Sequence, residues 1–131
     1  MTEIERIKEI TSAPQGTIAL IVVRWDGQTE NELLIQRVPC FGLMQYFDEE
    51  DKLEYQYSTE PLVQGEFGGF ATIEYNYHGV KEWHLICTEH DLNDYLRGDS
   101  SKGIVSKFVC KEIHHFLTEN KIDVEKLKGE L

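Results

Sequence analysis

Apolar residues change their rhythm once along this chain, near Thr88. Between Thr17 and Cys87 they come in short β-branched and aromatic runs separated by Gly, Pro and Asp, the punctuation of strands and turns. Beyond Thr88 they recur every three or four residues, the period of an amphipathic helix. Strands and helices segregated in this way define an α+β fold with antiparallel pairing, not a doubly wound parallel one. The 131 residues suit a single domain with one core. The expected organisation is an N-terminal helix over 1–14, an antiparallel sheet over 17–87 and C-terminal helices over 88–131.

The strand region reads as three consecutive hairpins. Thr17–Trp25 and Thr29–Val38 flank Asp26-Gly27, a pair suited to a type I′ turn because both central residues there need positive φ. Ile18–Val23 shows no polar alternation, so that strand should be covered on both faces, and Pro39 should end its partner. Leu43–Phe47 and Lys52–Ser58 form the second hairpin around Asp48-Glu49-Glu50-Asp51, whose four acids require water. Glu60–Gly69, with Pro61, reads as a loop. The third hairpin spans Phe70–Cys87 around Tyr77-His78-Gly79. A two-residue loop there sets Ile73 opposite His84. A three-residue loop with Gly79 left-handed sets Ile73 opposite Trp83 and Ala71 opposite Leu85, with Glu74 facing Glu82 in water. The second register is preferred, because burying Trp83 outweighs a screened repulsion. The sum is a five- or six-stranded meander.

Thr2-Glu3-Ile4-Glu5 has the spacing of a capping box, and Ile4, Ile7 and Ile10 form a narrow stripe before Pro14 and Gly16. These features predict the short N-terminal helix. Thr88 with Asp91 at its third position predicts a capped helix, with Leu92, Tyr95 and Leu96 inward and Gly98 closing it. A longer helix starts at Ser100 or Ser101, its inner face Val105, Phe108, Val109, Ile113, Phe116 and Leu117. It is the expected cover of the sheet. Asp123–Glu130 reads as a short terminal helix.

Net charge is −11, distributed unevenly. Residues 48–99 hold thirteen acids and three bases, whereas 1–47 sum to −2 and 100–131 to +1. Such a segment repels phosphate backbones and attracts basic surfaces, which argues against direct nucleic-acid binding. The longest apolar run, Ile18–Val23, is far below the ~20 residues that span a bilayer, so no membrane role is expected. An acidic N-terminus and three scattered cysteines predict a reducing, cytoplasmic location with free thiols.

No motif specifies a reaction. His84, Cys87 and His90 recur every three residues, and Cys110 and His114 share a helical face, which makes them weak candidate metal ligands. The first three straddle a strand end and a helix start, and the paired Cys-x2-Cys spacing of a zinc site is missing. Cys87 before a helix N-terminus could be an activated thiol, while Cys110 beside the apolar stripe reads as packing. Gly65-Glu66-Phe67-Gly68-Gly69 lacks the lysine and helix start of a phosphate loop and reads as a turn. Glu49 with Asp51 does not meet the calcium-loop pattern. No cofactor is implied, and the balance leans away from an enzyme.

Tyrosines are concentrated in the same strands as the acids, a composition suited to protein binding. The leading expectation is therefore a non-enzymatic binding protein that presents an acidic, aromatic sheet face to a basic protein partner. In that role Asp48, Glu49, Glu50 and Asp51 would steer association, and Tyr55, Tyr57, Tyr75 and Tyr77 would line the contact. In size and charge the chain is similar in kind to inhibitor and immunity-type proteins. The alternative is a small-molecule binder with a pocket between the sheet and the long helix, lined by Trp25, Trp83 and His84. A metal- or thiol-dependent enzyme stands third. Open sheet edges also offer a route to homodimers.

Overall fold

The computed structural model describes residues 3–48, 55–65, 68–98 and 104–129. Its elements run β1 (Glu3–Ser12), β2 (Thr17–Arg24), β3 (Glu32–Arg37), β4 (Cys40–Asp48), β5 (Tyr55–Gln64), β6 (Phe70–Thr72), α1 (Ile73–Asn76), β7 (Lys81–Thr88), α2 (Glu89–Arg97), α3 (Ile104–Glu119) and α4 (Val124–Gly129). The class is α+β with antiparallel pairing, as expected. The seven strands, however, form two sheets instead of one meander: β1-β4-β5-β6 and β3-β2-β7. The chain accordingly divides into two compact units. Unit 1 is Met1–Gln15 with Val38–Asn76, and unit 2 is Gly16–Arg37 with Tyr77–Leu131.

In unit 1 the expected N-terminal helix is a strand. Glu3–Ser12 pairs antiparallel with Cys40–Asp48, and the register slips between Ile7 and Glu9, leaving Lys8 as an extra residue. That bulge accounts for the helix-like spacing of Ile7 and Ile10, while Ile4, opposite Phe47, falls on the other face. Ile7 stands opposite Met44 and Ile10 opposite Gly42, two positions apart on β4 and so on one face. Without the bulge, residues three apart on a strand would face opposite sides. A ten-residue segment with a single narrow stripe is too short to favour an isolated helix, and β4 offers it a full ladder.

Pro61 lies within β5, not in a loop, and pairs with Phe41. It falls one residue before the stretch Leu62–Gln64 that β6 pairs, where its missing N–H removes no bond to β6. At the glycine-rich stretch, of which Glu66 and Phe67 lie outside the described residues, Gly65 N donates to Gly69 O (2.9 Å) and Gly68 N donates to Gly65 O (3.2 Å). Cys40, Met44 and Leu62 form a small buried cluster, with Leu62 closed over Gly42.

In unit 2 the residues Thr17–Val23 of β2 are buried throughout, as the unbroken apolar run requires. The β2–β3 hairpin forms, but Val23 pairs with Glu32, so the connection is wider than two residues. Asp26-Gly27 sits in a turn closed by Gln28 N to Trp25 O (3.0 Å), with positive φ at Gly27 (81°) and not at Asp26. That is a type II pattern, not I′. The wider loop is held at its base, where Arg24 Nε donates to Asn31 Oδ1 (2.8 Å).

The expected third hairpin does not form. β6 ends at Thr72, whose hydroxyl accepts from Tyr75 N (3.2 Å) to cap α1, and β7 pairs with β2. Trp83, Leu85 and Cys87 stand opposite Val22, Leu20 and Ile18, a more continuous apolar face than β6 could supply. Ala71 and Thr72 pair with Val63 and Leu62 instead.

The α2 helix follows the sequence reading closely. Thr88 Oγ1 accepts from Asp91 N (3.1 Å), and Gly98 closes the helix with φ 74°. Leu92 and Leu96 join Ile18, Leu20, Cys87, Ile113 and Leu117 in one buried cluster, with Val109, Phe116, Val124 and Leu127 packed against it. Phe108 departs from the expected inner face and is 62 % exposed, while Cys110 takes an inward position. Among the described residues no helix is long and apolar enough to cross a membrane.

Candidate functional site: a groove beside the end of α3

Unit 2 places the three expected pocket residues in two separate grooves. Trp25 lines a groove of about 460 Å³ with Arg24, Gly27, Gly79 and Lys81, and its Nε1 donates to Glu32 Oε2 (2.7 Å). Trp83 and His84 line another, of about 420 Å³, together with Glu82, Phe116, Glu119 and Asn120. The second groove lies along the outer edge of β7, where α3 ends.

That end of α3 is firmly fixed. Asn120 Nδ2 donates to Phe116 O (2.8 Å), and Ile122 N donates to Leu117 O (2.9 Å). Lys121 adopts the left-handed conformation (φ 59°) that turns the chain out of the helix. Asn31 Nδ2, from the β2–β3 loop, donates to Asn120 O (2.7 Å). Phe116 is thereby held beside the groove while it packs on the core.

The groove combines the Trp83 and Phe116 rings and the His84 imidazole with two carboxylates, and among the described residues no lysine or arginine lines it. Trp83 is 39 % exposed, enough to offer its ring to a ligand. Glu82 Oε1 lies 2.6 Å from His84 Nδ1 with its side chain 14 % exposed, and Glu119 Oε2 lies 3.2 Å from His115 Nε2. Phe116, Glu119 and Asn120 were not singled out as site residues by sequence. Phe116 read as core stripe, and nothing marks Glu119 until the helix end is placed against β7.

The histidines and cysteines do not converge. His84 engages Glu82, His90 Nε2 lies 3.2 Å from Asp94 Oδ2, and His114 Nδ1 lies 2.7 Å from Tyr95 Oη. Cys87 and Cys110 are buried, the Cys110 thiol directed at Asp91 O (3.9 Å). Among the described residues no group of three or more His, Cys, Asp or Glu could hold a metal ion. Burial, with the nearby Asp91 carboxylate adding to it, pushes the Cys87 thiol up to about 12, the opposite of an activated nucleophile.

Of the expected partner-binding residues, Glu49, Glu50 and Asp51 lie outside the described residues. Asp48 ends β4 opposite Glu3, and Tyr55 and Tyr57 of β5 pair in register with Phe47 and Gln45. Tyr75 is 71 % exposed on α1, whereas Tyr77 is half-buried and hydrogen-bonded to Gln36. Desolvation raises the Tyr77 phenol above its ordinary value. The two belong to different units, so the strand alternation that would have paired them does not apply. The chain matches no protein-family model, no curated protein and no solved structure.

Proposed function

We propose that this protein is a non-enzymatic binding protein whose unit 1 engages a basic protein partner. The observation that carries the reading is how charge divides between the units. Met1–Gln15 with Val38–Asn76 holds eleven acids against three bases, or −8, while the remainder holds thirteen against ten, or −3. A charge of that density attracts a basic surface over a Debye length and raises its association rate. Exposed Ile10, Phe70 and Tyr75 in the same unit supply apolar area for a contact. The test is kinetic. With the partner recovered from the native host, association should slow as salt rises, and slow again when Asp48–Asp51 are reversed to lysine. An association rate indifferent to both changes would sink the reading.

A second reading is favoured by the β7–α3 groove: a small-molecule binder acting through unit 2. Its volume lies within the range of ligand sites, and Trp83 and His84 both line it. A thermal-shift screen against a metabolite panel tests it, and a panel without a single saturable stabilisation would count against it.

A further inference from the structure

We propose that the groove between β7 and the C-terminal end of α3 binds a small organic ammonium ion; the proposal rests on the small-molecule reading and names its ligand class. Three features of the groove select a cation that is also greasy. The first is the aromatic pair. Trp83, 39 % exposed, and the half-buried Phe116 both line the groove, and an aromatic ring attracts a cation held over its face within about 6 Å, with tryptophan the most effective ring. The second is charge. Glu82 and Glu119 both line the groove, each with a histidine beside it (His84 and His115), and among the described residues no lysine or arginine lines it. The Trp25 groove is the internal contrast, since Arg24 and Lys81 outnumber Asp26 in its wall and would disfavour the same ligand. The third is the helix. The negative end of the α3 macrodipole lies at Glu119 and Asn120, which favours positive charge there.

A metal ion would not use this site well, because two carboxylates beside indole and phenyl rings give too few oxygen ligands. An alkylated ammonium uses all three features. Its methyl groups spread the charge over a weakly hydrated surface that the rings can cover, while the carboxylates balance it at longer range. Glu82 is the better placed of the two to matter, with its side chain 14 % exposed against 67 % for Glu119. Its bond to His84 fixes it at the groove wall (2.6 Å).

The test uses the full chain carrying Trp25→Phe, which leaves Trp83 as the only tryptophan reporter. Choline is titrated against its uncharged isostere, 3,3-dimethylbutan-1-ol, and Trp83 emission is followed. The expected result is a saturable change with choline, and at least about tenfold weaker binding of the alcohol, the sum of modest cation–π and carboxylate contributions. Glu119→Gln should weaken choline binding about two- to fivefold. Glu125→Gln on α4 removes the same charge away from the groove and should leave binding unchanged. Equal binding of choline and the alcohol overturns the ammonium assignment but leaves a small-molecule groove standing. Equal weakening by Glu119→Gln and Glu125→Gln overturns it too, by reducing the effect to net charge. No response to either ligand overturns the assignment outright, and the thermal-shift panel then decides the small-molecule reading independently.

Discussion

In unit 2 the strand β2 is buried along Thr17–Val23, and its Ile18 and Leu20 join side chains of β7, α2 and α3 in one cluster of seven buried residues. In unit 1 Cys40, Met44 and Leu62 make a smaller cluster, Val38, Val63 and Ile73 are buried as well, and Ile7, Ile10 and Phe70 remain substantially exposed. The charge runs the other way, −8 over unit 1 against −3 over unit 2. Apolar burial scales with area removed from water, and like charges in a compact unit oppose it. Among the described residues unit 2 carries the larger buried cluster and unit 1 the denser negative charge.

The sharpest way to break that contrast is to remove core from each side. Leu117 is fully buried between the helices and the β2–β7 face, so Leu117→Ala should lower unfolding free energy by about 3–5 kcal/mol in denaturant titration. Met44→Ala in the smaller cluster should cost about 2 kcal/mol, at the low end for such truncations, because fewer neighbours are left facing a void. If the two losses are equal, or Met44→Ala is the larger, the larger cluster is not the one that contributes more to stability.

Next comes a test of how tightly the β4–β5 face of unit 1 is fitted. A Cβ built on Gly42 would meet Leu62 Cδ1 at 2.9 Å, with two further Leu62 atoms at 3.2 and 3.3 Å. Leu62 is fully buried and cannot swing into water. Gly42→Ala should therefore destabilise by about 1–3 kcal/mol through overpacking. A neutral or stabilising outcome in thermal melts would show that the β4–β5 face can reshape itself, and that unit 1 is looser than the close approach implies.

The same contrast explains which parts of the fold were legible in the sequence. Unit 2 announces itself through local signals that agree with one another: the unbroken run Ile18–Val23, the Thr88 cap with Gly98, and the stripe through Ile113 and Leu117. Phe108 lies at the edge of the stripe and turns to water, while Cys110, two residues on and so on the other side of the helix, packs inward. Unit 1 depends on events that leave no local trace. The Lys8 bulge turns a strand's spacing into a helix's, and the choice of β2 over β6 as partner for β7 is settled by long-range competition. The groove was half legible for a similar reason. Trp83 and His84 stand out by residue type, but Phe116 and Glu119 acquire a role only when the α3 terminus is set beside β7.

The smallest effect vanishes at neutral pH and grows only in alkali, and it too divides the units. Among the described residues, burial raises one group in unit 1, Cys40, and three in unit 2: Cys87, Tyr77 and Tyr95. Cys87 is displaced furthest, to about 12, by desolvation first and by Asp91 second. Its folded form holds the proton more tightly than the unfolded chain does. The stability this contributes is fully present below the ordinary thiol range near about 8.5 and is lost as pH rises towards the folded value. Unfolding free energy measured from about pH 8 to about pH 11 should therefore fall more steeply in the natural chain than in Cys87→Ala, whatever constant offset the lost sulfur introduces. Cys40→Ala should flatten the profile less, because the displacement of that thiol is the smaller of the two. Parallel profiles for all three proteins would mean that water reaches Cys87 on unfolding no more than it does in the native state, and the helices over β2 and β7 would then be a looser cover than their packing indicates.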